Sequence, residues 1–212
     1  MYTCAQCAVH ACREAAPDQV PKNCPMRDRE IMETALEAYQ LEENHRFYVT
    51  ASELEALGYC QWPRVREVLE LCRRMDYQKV GLAFCWGLRK EAKIMDGLLR
   101  RAGLQVCSVI CKAGGVDKCA CGIADERTLR PGQHESMCNP IAQAQLLNAQ
   151  QTQFNIVLGL CVGHDAMFYK YSQALVTTLI AKDRVLAHAP AGALYCADGY
   201  FKGRLDMQEQ EN

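Results

Sequence analysis

A chain of 212 residues, half of them hydrophobic and 23% charged, can bury its own core, so its 14 cysteines are not needed as the staples of a small secreted domain. The formal net charge of −1, with Lys and Arg dispersed among Asp and Glu, leaves no basic stripe for a nucleic acid. No stretch offers the ~18 consecutive apolar residues of a membrane span. The N-terminus, with Arg13, Glu14 and Asp18 among its cysteines, has no apolar signal-peptide core. The expected compartment is therefore the reducing cytoplasm, where clustered cysteines serve as metal ligands or reactive thiols.

Residues 1–28 read as an irregular, cysteine-rich metal-binding segment punctuated by Pro17, Pro21 and Pro25. The spacing is Cys4-x2-Cys7-x4-Cys12-x11-Cys24, with Pro25 after the last cysteine. A CxxC pair lets two thiolates reach one metal across a tight turn, and two further cysteines complete four-coordination. Zinc would give a closed tetrahedral site. An iron–sulfur cluster takes four thiolates as well, and a proline directly after the final cysteine is common in ferredoxin-type ligand runs. His10 could replace one thiolate. The plainer alternative is a set of unliganded thiols in a flexible tail, which the close grouping of four cysteines disfavours.

Residues 29–78 read as helical, with Ile31, Ala35 and Ala38 at helical spacing. Pro63 sits near a further helix start, followed on one face by Val65, Val68, Leu69, Cys72 and Met75. From residue 79 to 206 the pattern becomes α/β. VGLAFC (80–85) is a short apolar run typical of a strand buried on both faces. Leu88, Ala92, Met95, Leu99 and Ala102 then form one helical stripe that Gly103 stops, and QVCSVIC (105–111) is strand-like again. This is a βαβ unit with parallel strands. A long loop, 112–137, leads to a helix capped by Asn139-Pro140 and running to about Gln150. FNIVLGLC (154–161) reads as a third strand. Asp165 is the candidate cap of a short helix carrying Met167, Tyr171 and Ala174. LVTTLIAKD (175–183) reads as a fourth strand, and Ala193, Leu194 and Tyr195 lie in the final turns. The polar tail 207–212 should fray. The predicted architecture is a small, open, mainly parallel Rossmann-like sheet preceded by a cysteine-rich helical segment.

Cys85, Cys111 and Cys161 close the first three predicted strands, and Cys138 stands just before the Asn139-Pro140 helix start. Open parallel sheets bind ligands outside the carboxyl ends of their strands. A second metal or thiol site at Cys85, Cys111, Cys138 and Cys161 follows if the sheet is parallel. Four thiolates could hold another cluster; three could leave one iron open as a Lewis acid. Without metal, a thiolate at a helix N-terminus is a nucleophile. Cysteine also fills strand positions as a small apolar group, the role given to Cys72, Cys107, Cys60 and Cys196. His164 and Asp165 could supply a base and its orienter, although a surface ring and a helix cap are the simpler readings. Lys112 beside Gly114-Gly115 resembles an anion-cradling turn. Lys182 and Asp183, followed by Arg184, could contact substrate or be ordinary surface charge. Cys119 and Cys121 are reserve ligands, cramped by the single residue between them.

Several of these stretches together, CAQC…C…CP, CKAGGVDK (111–118), CNPIAQAQLLN (138–148), GLCVGHD (159–165) and AKDRVLAH (181–188), resemble the DUF1847 family. It comprises bacterial and archaeal proteins of unknown function, described as metal-binding on account of their N-terminal cysteines. The resemblance implies metal binding at Cys4, Cys7, Cys12 and Cys24 and assigns no reaction. HAP at 188–190 departs from the HNP of that pattern. The expectation is thus a metal-binding protein carrying one or two iron–sulfur clusters of the 4Fe-4S kind, with zinc as the alternative. Its strand-edge site would act in redox or Lewis-acid chemistry on a small molecule or pass electrons to a partner. A zinc-stabilised binding module and a metal-independent thiol enzyme are the competing readings.

Overall fold

The computed structural model describes residues 1–14 and 19–206; the tail 207–212 and Pro17 fall outside the described residues. The chain divides into two compact units, Met1–Tyr59 and the remainder from Cys60 onward. No helix among the described residues is long and apolar enough to cross a membrane.

In the first unit two short 3-10 turns, Cys4–Gln6 and Pro25–Arg27, precede helices α1 (Arg29–Ala38) and α2 (Glu42–Gly58). Asp28 caps α1, its carboxylate accepting the Ile31 N–H at 3.5 Å. A break separates α2 from the next helix, α3 (Arg64–Arg74), which begins after Pro63 and belongs to the second unit. The break is local: Cys60 takes a left-handed φ of 54° and Pro63 caps α3, neither compatible with a continuous helix.

The second unit is a mixed α/β fold around four parallel strands: β1 (Lys79–Phe84), β2 (Gln105–Ile110), β3 (Phe154–Leu158) and β4 (Leu175–Ile180). Their order is β2-β1-β3-β4. β1 and β3 are central, which explains their largely apolar runs; every residue of β3 is buried, Asn155 included. α4 (Arg89–Arg101) links β1 to β2 and buries Ala92, Met95 and Leu99 against the sheet. α5 (Pro140–Ala149) and α6 (His164–Tyr171) follow, with α7 (Ala191–Tyr195) and α8 (Lys202–Leu205) closing the chain. The strand period of two sends Ala83, Cys85, Cys107, Val109, Cys111 and Val157 into one apolar cluster, which Ala144 and Leu147 of α5 and Phe168 of α6 complete.

Three predicted boundaries move. β3 ends at Leu158 rather than at Cys161, because Gly159 adopts φ 60° and turns the chain. β4 ends at Ile180, so Lys182, Asp183 and Arg184 lie in the following loop. α6 is capped by Gly163; Asp165 sits inside its first turn and accepts the Ala166 N–H at 2.8 Å.

Candidate functional site

The sheet order reverses between β1 and β3, and such a switch point opens a crevice at the carboxyl ends of the strands. The register pairs Phe84 with Ile110, so Cys85 and Cys111 occupy the next rung. The ladder carries one bond further on each side: Cys111 N–H donates to Phe84 O at 2.8 Å, and Cys85 N–H to Leu158 O at 3.0 Å. Cys138 is brought in by the neck of the 112–137 loop. There Met137 N–H donates to Val116 O at 2.8 Å, and Asn139 N–H to Cys111 O at 2.7 Å. The Asn139 side chain then caps α5 through the Ala142 N–H. Three backbone constraints thus bring three thiols to one apolar cluster, Cys85 and Cys111 buried in it and Cys138 packed against it.

Their protons are shared unequally. Hydrogen bonding to Cys138 and Cys85, together with burial, pushes the Cys111 thiol up. Cys85 is lowered to about 5, chiefly by Cys111 and then by the Gly87 N–H and Lys182. Cys138 is also lowered to about 5, by Cys111, Lys112 and His164. The cations Lys182 and Lys112 share in stabilising the pair. Lys182 Nζ lies 3.4 Å from Cys85 Sγ, and the Trp86 N–H donates to Cys111 Sγ at 3.3 Å. Two glycines sit where a side chain would crowd this edge. A Cβ on Gly87 would sit 3.1 Å from Lys182 Nζ, and one on Gly159 would strike Leu88 Cδ1 at 2.0 Å.

Cys161 stands beyond the Gly159 turn and pairs instead with Arg184, whose Nη2 donates to its sulfur at 2.9 Å. His164 contributes charge to Cys138, and its Nδ1 is buried with no hydrogen-bond partner among the described residues. The Asp183 carboxylate is engaged by the Val185 and Leu186 N–H groups, each at 2.8 Å, within its own turn. Gly114 and Gly115, with φ of 96° and 60°, turn the chain out of β2 on the exposed side of Lys112. Cys121 faces Met137, with 3.0 Å between sulfurs, and Cys119 donates its N–H to Asp117.

Sequence reasoning missed Gln143. This fully buried side chain donates from Nε2 to Val109 O at 2.7 Å and to Phe84 O at 3.3 Å, tying the ends of β1 and β2 beneath the thiols. Gln145 and Asn148 of the same helix are equally polar, so polarity alone does not single out the buried Gln143.

In the first unit, Cys4, Cys7 and Cys24 line one cavity of about 190 Å³, and Cys12 is not among its walls. The 3-10 turn closes CxxC, with Cys7 N–H donating to Cys4 O at 3.1 Å. His10 takes φ 51°, and its N–H and that of Val9 hold the Cys7 thiol below its ordinary value. A thiolate stabilised by N–H···S bonds beside two further thiols is a donor set that suits a soft metal. Among the described residues, however, no three His, Cys, Asp or Glu side chains stand grouped as a ready metal site in either unit.

A family model described as a protein of unknown function, DUF1847, matches residues 24–179. That range contains Cys24 and all four strand-edge cysteines and leaves out Cys4, Cys7 and Cys12. The chain is also 41% identical, over 192 residues, to "Uncharacterized protein MJ0455" of Methanocaldococcus jannaschii, covering 91% of this chain and 93% of that protein. No solved structure matches.

Proposed function

The chain belongs to the DUF1847 family, and from that premise we propose that it is a metal-binding protein whose working centre is the strand-edge thiol row. Cys85, Cys111 and Cys138 would hold an iron–sulfur cluster, or zinc in its place. Cys4, Cys7, Cys12 and Cys24 would hold a separate metal. The observation that supports this reading is that Cys85, Cys111 and Cys138, from three chain segments, share one apolar cluster at the switch point of the sheet.

Bound there, the metal would supply Lewis-acid or one-electron chemistry to a small molecule. The chain's own residues do the rest. Lys182, Lys112 and Arg184 offset thiolate charge, which favours the deprotonated ligands a metal requires. Gln143 and the ladder fix the strand ends, so the sulfurs keep their spacing.

The test is metal analysis with a visible spectrum on protein prepared without oxygen. Replacing Cys85, Cys111 and Cys138 by Ser should remove one metal equivalent and its absorption, and replacing Cys4, Cys7 and Cys24 should remove the other. Unchanged metal content in the first variant sinks the strand-edge centre. A second reading, a metal-independent thiol enzyme, draws on Lys182 beside Cys85 and Arg184 beside Cys161, each placed to activate a nucleophile. It requires selective alkylation of one of these two cysteines in metal-free protein.

A further inference from the structure

Next to the thiol row, the loop between β2 and α5 forms with Trp86 and Lys112 a cavity of about 450 Å³. Small-molecule sites commonly span about 300–1,000 Å³. The loop is pinned at its neck by the antiparallel bridge between Asp117 and Ser136 and by Lys118 N–H donating to Glu135 O at 3.0 Å. Farther out, the Asp125 carboxylate accepts the Gly132 N–H, with 2.8 Å to Oδ2, which closes the 125–132 turn that carries Leu129 and Arg130. The cavity walls are thus set in place without a ligand.

The charges in the lining do not cancel. Glu135 is its one acidic side chain, and that carboxylate is engaged by Lys118 and by the Leu129 N–H at 2.7 Å, which hold it below the ordinary carboxylate range. His134 is fixed between Asp117 Oδ2 at 2.8 Å and Ser136 Oγ at 3.0 Å. Lys112 donates to the Ser136 carbonyl. The Arg130 guanidinium is different: among the described residues it has no hydrogen bond and no ion pair. Trp86 is equally uncommitted, 54% exposed with its indole N–H unpartnered among the described residues, and only the Arg89 guanidinium lies over its ring, 5.0 Å from the centroid.

A guanidinium fork pairs with the oxygens of a carboxylate or phosphate, and an exposed indole offers a stacking plane. We propose that this cavity binds a small planar aromatic anion, its ring against Trp86 and its anionic group on Arg130. The site goes beyond the metal reading, since its lining contains no cysteine. It also adjoins the thiols, because the Trp86 N–H contacts Cys111 Sγ and Lys112 directly follows Cys111 in the chain. A bound anion therefore lies beside the row.

The test uses the metal-free 212-residue chain, so its failure leaves metal content unaffected and a failure of the metal reading leaves the binding intact. The chain has two tryptophans, so Trp62→Phe makes Trp86 the sole indole reporter. AMP and benzoate are titrated as the phosphate and carboxylate forms of the ligand, with adenosine and inorganic phosphate as the ring and the anion alone. Saturable quenching by AMP, benzoate or both is the expected result, with adenosine and phosphate weaker by about tenfold or more. Arg130→Ala should weaken the binding anion by about tenfold. Calorimetry on the parent chain and on Trp86→Leu gives the same comparison should Trp62→Phe fail to fold. No saturation by either anion up to about 10 mM, or equal binding by Arg130→Ala, overturns the proposal.

Discussion

The chain holds cysteines in two ways. In the first unit, Cys7 owes its lowered pKa to two backbone N–H groups in a turn that His10 completes. Neither donor is a charged side chain. At the carboxyl edge of the sheet, Cys85 and Cys138 are lowered by a neighbouring thiol and by Lys182 and Lys112, on a scaffold fixed by ladder bonds and by Gln143. The first arrangement depends on a few residues of local turn; the second depends on the whole sheet. The difference teaches that thiols of one chemical type should respond to different kinds of damage.

The largest expected effect is from Gly159→Ala. The new Cβ would meet Leu88 Cδ1 at 2.0 Å on a backbone already at φ +60°. Overpacking together with a left-handed alanine should cost the second unit roughly 2–4 kcal/mol. Thermal unfolding should show that loss, and the strand-edge thiols should lose their reactivity at low pH while Cys7 keeps its own. Equal loss at Cys7 would remove the distinction between the two sets.

The next effect is a contrast between cysteines of the second unit. Burial on α3 pushes Cys72 up to about 12, against about 5 at Cys85 and Cys138. In metal-free protein at neutral pH, mass-resolved alkylation should be faster at Cys85 or Cys138 than at Cys72 by about 100-fold or more. Since the thiolate is the reacting form, the fast rate should fall as the pH drops through about 5, the value to which the two thiols are lowered. A fast rate that persists well below that pH would contradict the assignment. Lys182→Met is smaller still. It removes one cation from Cys85 and should raise that thiol's midpoint by about one unit or less, with a lesser change at Cys138.

What was legible in the sequence follows from what is local. The apolar runs of β1 and β3 announce central parallel strands, and Asn139-Pro140 announces the start of α5. Cys85 and Cys111 are placed by register alone once the sheet is parallel. Cys161 was harder, because a single glycine at φ 60° ends β3 three residues earlier and carries that sulfur to Arg184. The reach of Lys182 to Cys85 across 97 residues, and of Gln143 beneath two strand ends, has no periodic signature. Neither does the cavity at Trp86, whose walls come from a long loop tied by side-chain contacts.

The smallest effect expected is the most discriminating for the first unit. The imidazole of His10 could serve as a metal ligand, while the His10 N–H, with that of Val9, already accounts for the lowered Cys7 thiol. His10→Gly separates the two. Glycine accepts φ 51° without strain, so the turn and both N–H···S bonds should persist, and the Cys7 alkylation rate should change by less than about twofold. If the first unit takes up metal as proposed, its metal content should then be unchanged too, since Cys4, Cys7 and Cys24 still share their cavity. Should the metal be lost while Cys7 stays reactive, the imidazole is a ligand, and the thiols of this unit do not suffice to hold it.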